Sequence, residues 1–125
     1  MARSLSVFLA LCALALGATP GRAAVRLLAD INSRPLIESS SPREFVTAGS
    51  QVFFVASTPA AGLGLWKTDG TAAGTVLVKD IRPGSLDSSP AGLVVMNGFV
   101  YFSAVDGVHG FELWRSDGTA AGTTL

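Results

Sequence analysis

Short apolar runs alternate with tight polar breaks along most of this chain. Residues 93–96 read Leu-Val-Val-Met, Asn97-Gly98 interrupts them, and residues 99–104 return as a second apolar run. Asn-Gly between two such runs predicts a two-residue hairpin, because both turn positions need a positive φ. The same layout stands 48 residues earlier. There Gly49-Ser50 suits the related turn that places glycine first. In the return run Val52, Phe54 and Ala56 recur unchanged as Val100, Phe102 and Ala104, while Gln51, Phe53 and Val55 become Phe99, Tyr101 and Ser103. Identity at every second position is the signature of a strand with one repeated face. That recurring face is predicted to line a shared core, where Phe54 and Phe102 would each contribute about 2–3 kcal/mol on full burial.

Loops at residues 58–62 and 106–110 lead to a third run, around residues 65–68 and 113–116. Then comes Asp69-Gly70-Thr71-Ala72-Ala73-Gly74, a tight connection. Its Asp is suited to accept nearby backbone N–H groups and its glycines accept positive φ. Residues 75–81 read as a fourth strand, Arg82-Pro83-Gly84-Ser85 ends it, and Ser88-Ser89-Pro90 opens the next unit. The pattern is all-β, with tandem four-stranded units of about 48 residues. Such units describe the blades of a β-propeller, with an open β-solenoid or a sandwich as the alternatives. Residues 25–31 are then a leading strand with no blade of their own, of the kind a closing ring lends to its last blade. Two blades do not close a ring of about four to eight.

The repeat extends well beyond these runs. Residues 34–77 align with residues 82–125 without a gap, and 20 of the 44 pairs are identical. The chain therefore divides into a leader (residues 1–23), a leading strand plus first unit (24–81) and a second unit (82–125) cut within its fourth strand. Leu125 falls three residues short of the Asp-Ile that would close that unit. The expectation is an N-terminal piece of a longer protein, with further units beyond Leu125.

The leader has a basic start at Arg3, an apolar run over residues 5–16, and a small-x-small site at Gly21-Arg22-Ala23. That is the layout of a cleaved secretory signal peptide. The apolar run of 12 residues is too short for a membrane span, which takes about 20. Cys12, the one cysteine, lies inside this run behind the bulky Leu11, which does not suit a lipidation site. The mature chain then has neither disulfide nor thiolate metal site. Losing Arg3 and Arg22 leaves seven basic residues against nine acidic ones, a net charge near −2. Without a basic stripe, a nucleic-acid partner is not expected.

The segment Glu112-Leu113-Trp114-Arg115-Ser116-Asp117-Gly118-Thr119, continued by Ala120-Ala121-Gly122-Thr123, resembles the ELWxxDGT, or hyalin-like, repeat family of bacterial exported proteins. Residues 75–81 and 107–110 look like the usual continuation and lead-in. The resemblance implies secreted or surface-associated proteins with many tandem units, and it brings no catalytic residue to transfer. Unit one departs from the pattern, with Gly64 in place of Glu112 and Pro59-Ala60-Ala61 in place of Gly107-Val108-His109.

Few residues offer chemistry. Trp66 and Trp114 would suit sugar stacking, but a Trp kept in each unit reads first as an anchor between sheets. Asp69 and Asp117 each supply one carboxylate to a turn, where Ca²⁺ wants six to eight oxygens; turn capping is the expectation. His109, with Asp106 and Glu112 nearby, would make a small acid/base cluster, yet unit one lacks it. It reads as a solvated loop histidine. The Gly70-x-x-x-Gly74 spacing lies in a polar turn, where neither membrane-helix packing nor phosphate cradling applies. Ser39-Ser40-Ser41 reads as an exposed linker.

No catalytic, cofactor or metal residue is assigned. The expectation is a secreted or cell-surface, non-catalytic β-repeat scaffold that binds an extracellular protein or glycan through loops 58–62 and 106–110. A Ca²⁺-stabilised adhesion module, or the opening of an extracellular propeller enzyme, are the competing readings.

Overall fold

The computed structural model describes residues 27–31 and 39–125. The leader at residues 1–23, with Cys12, lies outside them. Among the described residues all the regular structure is β and antiparallel. One sheet takes β1 (Arg43–Ala48), β2 (Gln51–Thr58), β3 (Gly62–Thr68) and β4 (Val76–Lys79) in chain order, and a second takes β5 (Ala91–Met96), β6 (Phe99–Val105) and β7 (Phe111–Ser116). Neither sheet closes into a barrel. No helix among the described residues is long and apolar enough to cross a membrane.

Strands β5, β6 and β7 begin 48, 48 and 49 residues after β1, β2 and β3. The left-handed backbone positions keep the same step. Ser41, Glu44, Gly49, Gly62 and Gly70 have positive φ, as do Ser89, Gly92, Asn97, Gly110 and Gly118. At the β5–β6 hairpin Asn97 (φ 52°) and Gly98 (φ 80°) are both left-handed, as a type I′ turn demands, whereas Gly49 (φ 62°) alone is so between β1 and β2. Each sheet also has a bulge at its edge, between Arg43 and Val46 and between Ala91 and Val94. The two bulges are tied together, since Glu44 Oε2 accepts the Gly92 N–H at 2.7 Å.

The sheets meet through one core, and they meet front to back. From the first sheet come Phe53, Val55 and Leu65; from the second come Val100, Phe102, Ala104 and Trp114. Cross-strand pairing puts Phe53, Val55 and Leu65 on one face, and Val100, Phe102 and Trp114 on one face. In the first sheet that is the varying face, and in the second it is the recurring face. The expectation that recurring faces line the shared core therefore holds for unit two and needs correction for unit one. A sheet stacked in register must bury opposite faces against its two neighbours. Phe54, on the recurring face of unit one, is 3% exposed and stacks on Phe45 with ring centroids 5.4 Å apart.

Several boundaries differ from the sequence expectation. The third strands start earlier, at Gly62 and Phe111, because the pairing with β2 and β6 runs on to the loop. The fourth is shorter than residues 75–81. Thr75 stays in the preceding turn, its hydroxyl donating to Thr71 O at 2.7 Å, and Ile81 leaves the strand to join the core. In the second sheet the fourth position holds one bridge, Arg115 to Thr124, with both backbone bonds at 2.9 Å. Residues 27–31, expected within a leading strand, pair with neither sheet.

Candidate functional site

The most conserved stretch within the chain builds turns. Asp69 Oδ1 accepts the Thr71 N–H at 2.9 Å and the Thr71 hydroxyl at 2.7 Å, and Asp117 does the same for Thr119 at 2.8 and 2.7 Å. The Thr71 and Thr119 hydroxyls in turn accept the Gly74 and Gly122 N–H groups, both at 2.9 Å. Glycine is needed at 74 and 122 because a methyl there would overlap the Asp69 or Asp117 carboxylate. Behind each turn two hydroxyls meet, Thr68 with Thr75 at 2.8 Å and Ser116 with Thr123 at 2.7 Å. The neighbouring threonine hydroxyls hold the carboxyls of Asp69 and Asp117 below the usual carboxylate range, with the threonine N–H groups adding to the effect. These aspartates act as caps of their own turns. No group of three or more metal-ligating side chains forms among the described residues.

Trp114 sits between the two sheets, whereas Trp66 pairs with Phe54 on the face of the first sheet turned away from the second, so the expected inter-sheet anchor holds for unit two alone. Trp114 is 7% exposed, and Lys79 Nζ lies 5.9 Å from its ring centroid while donating to Thr123 O at 2.8 Å. Trp66 is half-buried, and both indole nitrogens are buried without a hydrogen bond to the described residues.

In the β6–β7 loop, Asp106 Oδ1 accepts the N–H groups of Val108 and His109 at 2.8 and 2.9 Å, and its Oδ2 meets His109 Nδ1 at 2.7 Å. The His109 N–H, the His109 ring and the Val108 N–H together push the Asp106 carboxyl far below the carboxylate range. The hydrogen bond to Asp106, then the charges of Asp106 and Glu112, raise the His109 imidazole above its usual value. The ring stands in solvent and no nucleophile adjoins it, so the pair sets the loop's shape and charge.

At the β2–β3 loop a groove of about 470 Å³ opens between this loop and the linkers before each sheet. Ser39, Ser41, Ser57, Thr58, Ser85 and Asp87 line it, with Pro59 and Gly62. Its walls are fixed by local bonds. Asp87 Oδ1 accepts the Leu63 N–H at 2.7 Å, the Ser57 N–H donates to Ser40 O at 2.8 Å, and the Thr58 hydroxyl accepts the Ala61 N–H at 3.2 Å. Gly62 has φ +57°, and a Cβ on it would lie 2.7 Å from Leu86 O. The groove offers hydroxyl donors and acceptors beside a carboxylate, which suits a ligand rich in hydroxyl groups.

Of the two binding loops expected from sequence, 58–62 lines this groove and 106–110 does not. Ser85 and Asp87 were missed as site residues. Their one sequence signal is that two serine-rich linkers precede equivalent strands, and only folding brings both beside the first loop. Compared with protein-family models, curated proteins and solved structures, the chain matches none.

Proposed function

We propose that this chain belongs to a secreted or cell-surface, non-catalytic β-repeat protein, and that it binds hydroxyl-rich ligands, glycans first among them, in the groove at the β2–β3 loop. The observation that carries the reading is that groove, with five hydroxyl side chains and Asp87 converging on one opening. Sugars are bound through many such donors and acceptors. The leader at residues 1–23 supports export, and the ELWxxDGT-like segments support a place among bacterial exported repeat proteins. The front-to-back stacking of two sheets supports blades of a propeller, since that packing adds further sheets by the same contact.

A glycan array probed with the purified chain tests the ligand. Ser57 is replaced by Val in unit two (Val105), so Ser57→Val is compatible with a β-strand here. Capture of one glycan class by the native chain, weakened at least tenfold by Ser57→Val and by Ser85→Ala, with the glycan recovered intact, is the expected result. Capture that both variants leave unchanged would overturn the groove as the site. Cleavage of the captured glycan would overturn the non-catalytic reading.

A further inference from the structure

Four times in this chain an aspartate or asparagine precedes a glycine, at Asp69-Gly70, Asn97-Gly98, Asp106-Gly107 and Asp117-Gly118. At such a pair no Cβ shields the glycine nitrogen, which can reach the side-chain carbonyl carbon before it and close a five-membered ring. The fold treats the four pairs differently. Asp69 and Asp117 each give Oδ1 to a threonine N–H and hydroxyl. The N–H groups of Gly70 and Gly118 donate to Thr68 Oγ1 and Ser116 Oγ, both at 3.0 Å. Carbonyl and nitrogen are therefore both held. Asp106 accepts the Val108 and His109 N–H groups and pairs with the His109 ring. Gly107 is backed by Arg82, whose Nε would lie 3.2 Å from a Cβ there. All three carboxyls are held below the usual carboxylate range. They stay ionised, and a carboxylate anion repels a nucleophile.

Asn97-Gly98 has none of these restraints. Both residues are exposed at the tip of the β5–β6 hairpin. Among the described residues no hydrogen bond occupies the Asn97 amide or the Gly98 N–H. A Cβ on Gly98 would meet nothing within 4 Å, so the tip has room to turn. The amide is neutral, and its leaving group is ammonia. At the same turn in unit one, Gly49-Ser50 offers no side-chain carbonyl.

We propose that Asn97-Gly98 is a site of spontaneous backbone modification, at which the turn converts to a mixture of aspartate and isoaspartate. The Gly98 nitrogen bonds to Asn97 Cγ, the Cγ–Nδ2 bond breaks, and the glycine proton leaves with the amide as ammonia. Water then opens the cyclic imide. Attack at Cγ restores the ordinary main chain as aspartate; attack at the main-chain carbonyl leaves residue 97 linked through its side chain. Both products add a negative charge. The second also adds a methylene to the main chain of a two-residue loop whose length sets the pairing of Met96 with Phe99. Phe99, whose ring lies 5.1 Å from the Arg115 guanidinium, is the first residue past that change. Isoaspartate therefore loosens the second sheet from its tip, and aspartate does so much less. The proposal involves no ligand, so the glycan assay and this one fail independently.

Ageing the purified chain in mildly alkaline buffer, folded and in urea, tests it. Intact mass and peptide mapping follow the amide-to-acid exchange, and a methyltransferase specific for isoaspartyl groups counts the rearranged product. The folded native chain is expected to convert at residue 97 within threefold of its rate in urea, while isoaspartate at Asp69, Asp106 and Asp117 forms at least tenfold more slowly folded than unfolded. Asn97→Gly should remove the conversion at this turn with an unchanged β circular-dichroism spectrum; Asn97→Asp, which also lacks the amide, replaces it if that variant misfolds. The isoaspartyl fraction should melt below Asn97→Asp, which carries the same charge on an ordinary main chain. Conversion at residue 97 at least tenfold slower in the folded chain than in urea would overturn the proposal, because the turn would then protect the pair. So would equal protection at all four pairs, or an isoaspartyl fraction that melts with Asn97→Asp.

Discussion

Replacing Leu65 and Leu113 by alanine, one at a time, isolates what the stack contributes. Both leucines precede a tryptophan and then a near-identical Asp-Gly-Thr turn, so propensity and local sequence are matched. Leu65 is 0% exposed and packs with Phe53, Val55 and Val100. Burying a leucine side chain is worth about 1.5–3 kcal/mol, and the hole that remains brings the loss from Leu65→Ala to about 3–4 kcal/mol. Leu113 is 68% exposed, so roughly a third of the transfer term is at stake and no cavity forms. Leu113→Ala should then cost less than about 1 kcal/mol. For a domain of this size the first change lowers Tm by about 15–25 °C and the second by a few degrees. Urea unfolding, at dilutions where sedimentation shows single copies, measures both. Equal losses there would refute the reasoning, because they would mean that the two faces are equally covered within one chain.

The buried hydroxyl pair gives a second contrast. Ser116→Ala strips Thr123 Oγ1 and the Gly118 N–H of their shared partner in a fully buried place, and should cost about 1–3 kcal/mol in urea unfolding, clearly more than Thr68→Ala at the half-buried counterpart. Asn97→Ala keeps a residue at φ 52° that alanine resists, so about 1–2 kcal/mol should be lost, with Asn97→Gly nearly neutral by the same measurement. The ordinary imidazole value is near 6.5, and the raised value of His109 should fall back toward it in Asp106→Asn, as followed by NMR titration of the ring protons. The sign of the linkage follows. The His109 contribution is present below about 6.5 and fades as pH rises through the raised value. The Asp106 contribution is present above the ordinary carboxylate value of 3.8 and fades as pH falls toward the depressed one. A His109 titration that Asp106→Asn leaves in place would show that the 2.7 Å contact does not form in solution.

Local chemistry carried much of the fold into the sequence. Asn97-Gly98 marked the hairpin because few other residue pairs accept two left-handed positions, and Asp69 and Asp117 marked turns because a short carboxylate reaches the N–H two residues on. Alternation marked β6 well, where buried and half-buried residues alternate along the whole strand. It failed on β2, where Phe53, Phe54, Val55 and Ala56 are all buried. A strand covered on both sides keeps no period-two contrast, so the sequence reading saw one repeating face and assigned the shared core to it. The groove was less legible still. Ser39, Ser57, Ser85 and Asp87 are spread over nearly fifty residues, and serines in linkers carry no pattern that says which of them will converge.

The same comparison explains why the faces of β2 differ in how far they vary. The recurring face of the second unit meets the varying face of the first. If both changed freely from unit to unit, every contact would need its own complementary pair, and a unit would fit only one neighbour. Holding Val52, Phe54 and Ala56 constant as Val100, Phe102 and Ala104 makes one half of each contact standard. The other half then needs only bulk and apolarity, which Phe53 and Tyr101, or Leu63 and Phe111, both provide. Such tolerance is what packing cores allow when total volume is kept.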